Sequence, residues 1–447
     1  MGAAARGPQS FETMERRVAV IGSGISGLSA AHALAGDARV TLFEAGAYFG
    51  GHTNTVDLTL DGATHGVDTG FLVLNERTYP QLLNLFAGLG VEIAKSEMSF
   101  SVQVPGNGKT PALEWSGCDL NTVFAQRANL FRPRFWRMLS DVLRFNRLAT
   151  TLAASGDAEL LDEPIGDFLG RHHFSIEFRD WYFLPMIGCI WSCPVDQMLR
   201  FPVATMLRFC HNPGLLQVAN RPQWYTVRGG ARTYVRKMLQ AVPDARLDTP
   251  VRSVRRIEGA VLVSTDAAGT ERFDDVVLAC HSDQSLALLA DANEAETQVL
   301  GAIRYQRNRA VLHTDASVLP KRRSAWAAWN YERAANGSRE EASVCLHYLL
   351  NRLQPLPFTT PVIVSLNPVV DPRADAIHAE FDYAHPVFDS RATLAQRRVP
   401  ALQGDRHTWF AGAWTRYGFH EDGLMSGLSV VDGLRAGWAT ARLKEAA

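Results

Sequence analysis

An α/β fold built on a parallel sheet is predicted by three features of this 447-residue chain. Residues 17–52 read as strand, glycine-rich turn, helix, strand and acid in succession. Residues 276–279 form a fully apolar run, as a strand covered on both faces requires. Residues 407–438 offer a strand into Gly412, a loop, and a helix from about Gly423. The sheet is therefore expected to draw its strands from distant parts of the chain.

The first feature carries the most chemistry. Its strands are expected at Arg17–Ile21 and Arg39–Phe43, with a helix at Ser26–Ala35 between them. Gly22, Gly24 and Gly27 fall on the spacing G-x-G-x-x-G. The first glycine permits a tight turn, the second lets backbone approach a pyrophosphate, and the third brings helix close to strand. A pyrophosphate there meets unpaired N–H groups at the positive end of the helix dipole. Glu44 lies twenty residues past Gly24, where an acid accepts hydrogen bonds from ribose hydroxyls. The strand, helix and acid around the glycines make this a dinucleotide site.

Composition narrows the class. At 47% hydrophobic and 20% charged residues, the chain can bury a large core, and its net charge of −1 gives no reason to expect nucleic acid. The six cysteines (118, 189, 193, 210, 280 and 345) are scattered, which fits buried free thiols rather than a secreted disulfide framework. Cys189 and Cys193 stand four apart, so they make no C-x-x-C pair. His172 and His173 are adjacent, and no other histidine shows ligand spacing, so no metal is expected. The first sixteen residues lack a signal-peptide apolar core, Arg6 stands where myristoylation needs Ser or Thr, and no apolar run reaches eighteen residues. A cytoplasmic protein is expected.

Between the nucleotide-binding stretches lie two blocks of different character. Residues 120–215 are mainly helical by pattern and rich in aromatics. Residues 300–385 alternate as strands do, for example at 310–313, 344–349 and 362–366. Residues 124–147 carry six arginines and one acid interleaved with Phe, Trp, Leu and Met, with a kink or restart expected at Pro133. Two readings stand for that stretch: a helix on the core with arginines in water, or a basic aromatic face resting on an anionic membrane surface.

The motif Glu44-Ala45 through Gly50-Gly51, of the form E-A-x-x-x-x-G-G, and the later F-A-G…D-G-x-x-S-G from Phe410 to Gly427 resemble FAD-dependent amine oxidases, protoporphyrinogen oxidases and phytoene desaturases. The runs HTDASVLPKRR…WNY, NRLQPLP, AQRRV and AGAWTRYGFHEDGLMSGLSVV resemble bacterial predicted NAD/FAD-binding proteins related to amine oxidases, similar to the module fused ahead of plant cyclopropane-fatty-acid synthase. The resemblance implies a Rossmann-like FAD-binding domain of the glutathione-reductase type (16–80, 216–290 and 405–442) interleaved with an α+β substrate domain (81–215 and 291–404). It implies noncovalent FAD, since no cysteine matches an attachment site. Gly22, Ser23, Gly24, Gly27 and Glu44 would hold the ADP half, and Gly51 and His52 would run past the pyrophosphate toward the ring. Val251 would pair its backbone with adenine. Gly412, Asp422 and Gly423 belong to the second motif, where backbone N–H groups of Asp422 and Gly423 would face the flavin N1–C2=O edge.

The chain departs from that pattern twice. Ala413 and Trp414 stand where relatives carry an acid, and His420 stands where monoamine oxidases place a cage tyrosine. A simple amine-oxidase reading is therefore disfavoured. His420 and Glu421 are the candidates for proton handling, His420 equally as a structural residue, and Tyr417 and Trp414 would wall the substrate cavity. Asp68 is expected to cap a turn against the flavin, and Lys321 to be a solvated charge. The function expected is hydride abstraction from an apolar substrate such as a lipid acyl chain or isoprenoid, with peripheral contact at the inner membrane surface. The alternatives are an amine oxidase releasing peroxide and a flavin-binding partner of a fatty-acid-modifying methyltransferase.

Overall fold

The computed structural model describes residues 16–106, 111–155, 163–191, 195–204, 206–207, 222–333 and 344–445. Its centre is a five-stranded, wholly parallel sheet in the order 244–246, 39–43, 17–21, 275–278, 408–410. The first strand lies in the middle, pairing Val20 with Leu42 on one side and with Val277 on the other. Val18, Ala19, Val20, Val276, Val277 and Leu278 are fully buried, so both sheet faces are covered.

One face carries helix α1 (Ile25–Leu34). The opposite face meets a three-stranded antiparallel meander (251–257, 260–265 and 269–273), whose Val254, Val261 and Phe273 share a core with Ala19, Phe43 and Phe410. Each fully buried Phe or Leu of this kind contributes about 2–3 kcal/mol relative to exposure. A second, seven-stranded sheet runs in the order 377–387, 304–313, 363–366, 345–349, 329–332, 100–104, 113–116. Helix α2 spans Pro80–Leu89.

The basic aromatic stretch divides at its proline. Residues 127–131 form a short 3-10 turn, and Pro133 opens helix α3 (Pro133–Ser155) as its first residue, where a missing N–H costs nothing. Phe135, Met138, Phe145 and Ala149 are fully buried, while Phe131 is 87% and Trp136 50% exposed. No helix among the described residues is long and apolar enough to cross a membrane.

The last helix, α4, runs His420–Glu445. It starts three residues before the expected Gly423, because the Asp422 side chain reaches back to accept the Phe419 N–H at 3.0 Å and closes the first turn. Helix α4 crosses α1 at very short range. A Cβ on Gly427 would sit 2.3 Å from the Ser26 carbonyl oxygen, and one on Gly423 would sit 2.7 Å from Ile25 Cγ2.

Candidate functional site

Gly22 adopts φ +100°, and a Cβ there would lie 2.9 Å from the Ala279 carbonyl oxygen. A Cβ on Gly27 would lie 1.8 Å from the Gly22 carbonyl oxygen, so helix α1 can approach the strand only through glycine. Gly24 differs: nothing stands within 4 Å of its Cβ position. It faces open space at the start of α1, whose N-terminus carries no side-chain cap.

Glu44 is held ready at the end of its strand. One carboxylate oxygen accepts the Ser23 N–H at 2.9 Å and the Ser23 hydroxyl at 2.5 Å, and the other accepts the Gly46 N–H at 2.8 Å. The Ser23 hydroxyl oxygen in turn accepts the Gly50 N–H at 3.0 Å. Gly51, at φ +58°, passes with its Cβ position 3.2 Å from Gly24 Cα. The acid, the serine and the two glycine turns therefore form one rigid cradle.

The cradle opens into a cleft of about 1360 Å³ bordered by Gly22, Ser23, Gly24, Glu44, Gly51, His52, Gly412, Tyr417, His420, Glu421 and Asp422. Gly27, Val251 and Gly423 do not border it. Gly27 and Gly423 act through close approach. The Gly423 N–H is donated to the Phe419 carbonyl at 3.0 Å, so it is committed within α4 rather than offered to a ligand. Val251 opens a meander strand opposite Thr265 and is buried in the second core.

His52 brings in residues that spacing did not signal. Its half-buried ring lies 5.2 Å from that of His385 and 4.9 Å from that of Tyr383, with His281 at 6.3 Å. The His52 Nε2 atom is buried with no partner among the described residues. Burial, then the neighbouring His385 and His281, hold His52 well below the usual imidazole range. Burial likewise brings His385 down to about 4.

His420 borders the cleft with its ring held by three contacts. Its Nε2 lies 2.5 Å from the Tyr234 hydroxyl and 3.3 Å from Thr53 Oγ1, and its ring stacks on Phe71 at 3.9 Å between centroids. One ring face is covered and one edge nitrogen is taken, so it does not stand as an open cage wall. Burial brings its pKa down to about 3.

Glu421 is committed more fully, its two oxygens accepting the Gln81 and Leu82 N–H groups at 2.8 and 2.9 Å. It caps the free N-terminus of α2 from another element. Burial lifts Asp422 to about 6, against the pull of the Phe419 and Tyr417 N–H groups. Tyr417 is half-buried at the rim, whereas Trp414 is buried and donates its indole N–H to the Cys280 carbonyl at 3.1 Å.

Two further expectations fall outside the cleft. Asp68 turns away from it, accepting from Thr55 at 2.5 Å, from the Ala231 N–H at 2.9 Å and from the Gln354 amide at 2.8 Å. It therefore caps the Gly229–Gly230–Ala231 turn, and burial lifts its carboxyl to about 7. Lys321 is exposed and does not border the cleft.

These shifts predict how stability varies with pH. His52, His385 and His420 are depressed in the folded state, so their contribution is complete above the unfolded value of 6.5 and is lost as pH falls toward 4 and then 3. Asp68 and Asp422 are raised, so theirs is complete below 3.8 and is lost as pH rises to about 7. Three histidines outweigh two carboxyls, so the urea midpoint is expected to drop between pH 6.5 and pH 4.5. An unchanged or rising midpoint defeats the assignment.

The lining also separates by chemistry. Beyond the cradle, one part of the lining is apolar, with Met98, Phe100, Trp115, Met186, Trp329 and Phe381 among its side chains, while Arg77, Arg307, Asp382 and Arg416 also border the cleft.

Residues 25–312 match the profile of the flavin-containing amine oxidoreductases. A search of curated proteins gives no match. Among solved structures, a putrescine oxidase variant redesigned for cofactor binding aligns with TM-score 0.65 at 16% identity, covering 94% of this chain and 99% of that one. A CLA-producing fatty acid isomerase from P. acnes aligns with TM-score 0.66 at 16% identity, covering 95% and 99%. A putative protoporphyrinogen oxidase from Exiguobacterium sp. 255-15 aligns with TM-score 0.63 at 17% identity, covering 94% and 99%. These likenesses concern the fold, while the profile spans well over half the chain. This chain belongs to the flavin-containing amine oxidoreductase family and is a flavin-dependent oxidoreductase.

Proposed function

We propose that the protein binds FAD noncovalently and oxidises an apolar substrate, a lipid acyl chain or an isoprenoid. Three features of the cleft fit the cofactor. Gly24 has open space where a side chain would stand, the α1 N-terminus lacks a side-chain cap, and His52 buries an unpartnered nitrogen. Gly22, Ser23 and Gly24 would hold the pyrophosphate with the first amides of α1, and Glu44 the ribose. Gly51, His52, Gly412 and the start of α4 would border the remainder. The bound flavin supplies the two-electron oxidation, and the protein supplies position and a dry cavity.

Noncovalent attachment is supported by the two cysteines that border the cleft. Burial raises Cys280 to about 11 and Cys189 well above the usual thiol range, so neither offers a thiolate for alkylation. Acid precipitation is expected to release all of the flavin into the supernatant.

The observation that carries the substrate reading is the run of aromatic, thioether and aliphatic side chains in the lining, Met98, Phe100, Trp115, Met186, Trp329 and Phe381 among them. An ammonium desolvated against those side chains would find no counter-charge among them, at a cost of several kcal/mol. An acyl chain gains about 0.8 kcal/mol for each methylene it buries. The exposed Leu120, Phe131, Trp136 and Leu143 beside Arg137, Arg144 and Arg147 support delivery from an anionic membrane surface.

Anaerobic mixing with phospholipid vesicles is expected to bleach the flavin, and a panel of primary amines to leave it oxidised. Bleaching by amines alone sinks the lipid reading in favour of an amine oxidase. If neither class bleaches it and the protein co-purifies with a lipid methyltransferase, the accessory role stands instead.

A further inference from the structure

We propose that Glu332, Cys345 and His347 form a zinc site on the second sheet, separate from the flavin cleft. The three donor atoms lie within 4.8 Å of one another. Cys345 and His347 alternate on one strand, which puts both on one face, and Glu332 pairs directly with Cys345 on the neighbouring strand. By the same alternation the trio lies on the face opposite Trp329 and Tyr348, behind the wall of the cleft.

The spacings are those of one face of a zinc tetrahedron. Zinc bonds of about 2.3 Å to sulfur and about 2.0–2.2 Å to nitrogen and oxygen imply S···N, S···O and N···O edges of roughly 3.5, 3.6 and 3.4 Å. The corresponding separations are 3.4 Å, 3.8 Å and 3.0 Å. Thiolate, imidazole and carboxylate together favour zinc over magnesium or calcium. One thiolate and one carboxylate also neutralise a divalent ion, so the occupied site carries no net charge into a buried setting. Cys345 and His347 are buried at 1% and 0%, whereas the Glu332 side chain is 21% exposed and gives access from solvent.

A second layer of residues is already in place. His347 Nδ1 lies 2.7 Å from Ser365 Oγ, which lies 2.7 Å from His313 Nε2. The Asp315 N–H donates to His313 Nδ1 at 3.1 Å, so the His313 proton is on Nε2 and points at Ser365. Ser365 has two lone pairs, so it can accept from both imidazoles once the metal takes His347 Nε2. An outer hydrogen bond of this kind fixes ring orientation in zinc sites.

The test uses flavin-loaded protein stripped with chelator and dialysed against micromolar zinc. One zinc per chain is expected, with an X-ray absorption shell of one sulfur at about 2.3 Å and nitrogen or oxygen at about 2.0 Å. Cys345→Ser and His347→Gln are expected to lose the metal, Ser365→Ala to weaken it ~10- to 100-fold, and Cys118→Ser to keep it. The absorption spectrum of the parent protein needs no variant, so misfolding of any variant leaves the proposal exposed. Absence of retained zinc in the parent, or a shell without sulfur, overturns it. Flavin content read on the same samples tests the cofactor reading independently.

Discussion

Gly27→Ala is expected to yield protein that neither folds normally nor holds flavin, whereas Gly24→Ala folds normally and loses only the flavin. The two glycines are three residues apart in one turn, yet their surroundings are opposite. A methyl at Gly27 meets the Gly22 carbonyl oxygen at 1.8 Å, a backbone atom that cannot rotate away. Helix α1 must then lift from the strand, and it carries α4 with it through the Gly423 and Gly427 contacts. Overpacking of a core costs about 1–3 kcal/mol and more where backbone is the obstacle, against a total stability of about 5–15 kcal/mol. A methyl at Gly24 meets nothing within 4 Å in the protein and intrudes only on a ligand. Denaturant midpoints and flavin content of both variants check this together. Equal stability of the two, or full flavin occupancy in Gly24→Ala, contradicts the reading.

Glu44→Ala is expected to weaken flavin binding by roughly a hundredfold or more. The carboxylate gathers three donors from Ser23 and Gly46, so its loss leaves buried N–H and O–H groups unpaired as well as removing the ribose acceptor. Hydrogen bonds to a charged group contribute about 1.5–3 kcal/mol each, and two lost equivalents already reach that range. Glu44→Gln keeps the shape and one acceptor oxygen, so it is expected to fall between. Equilibrium dialysis against free FAD measures all three. Wild-type affinity in Glu44→Ala would show that the acid serves only the turn.

The parallel sheet and the cradle were legible because their signals are local. Gly22, Gly24, Gly27 and Glu44 lie within one strand–helix–strand unit, and steric rules connect each to its place. The cap that Glu421 places on another helix is not legible in the sequence, because its partners, Gln81 and Leu82, stand 340 and 339 residues away. A carboxylate at a helix start looks the same in sequence whether it faces a ligand or caps another helix. The contacts of His420 are hidden for a similar reason: Tyr234, Thr53 and Phe71 arrive from three separate segments. The Cys345–His347 pair carries the alternation of a strand, but Glu332 joins it only through pairing between strands.

The order of the parallel sheet has a consequence for how the protein is made. Its outer strand, Thr408–Phe410, seals an edge whose neighbour, Asp275–Leu278, is translated far earlier. At ~5–20 residues per second the ribosome leaves that edge bare for on the order of ten seconds. An unpaired edge beside a hydrophobic strand invites association with other chains. The nascent chain thus carries an open sheet edge, exposed to association, until residues 408–410 are made.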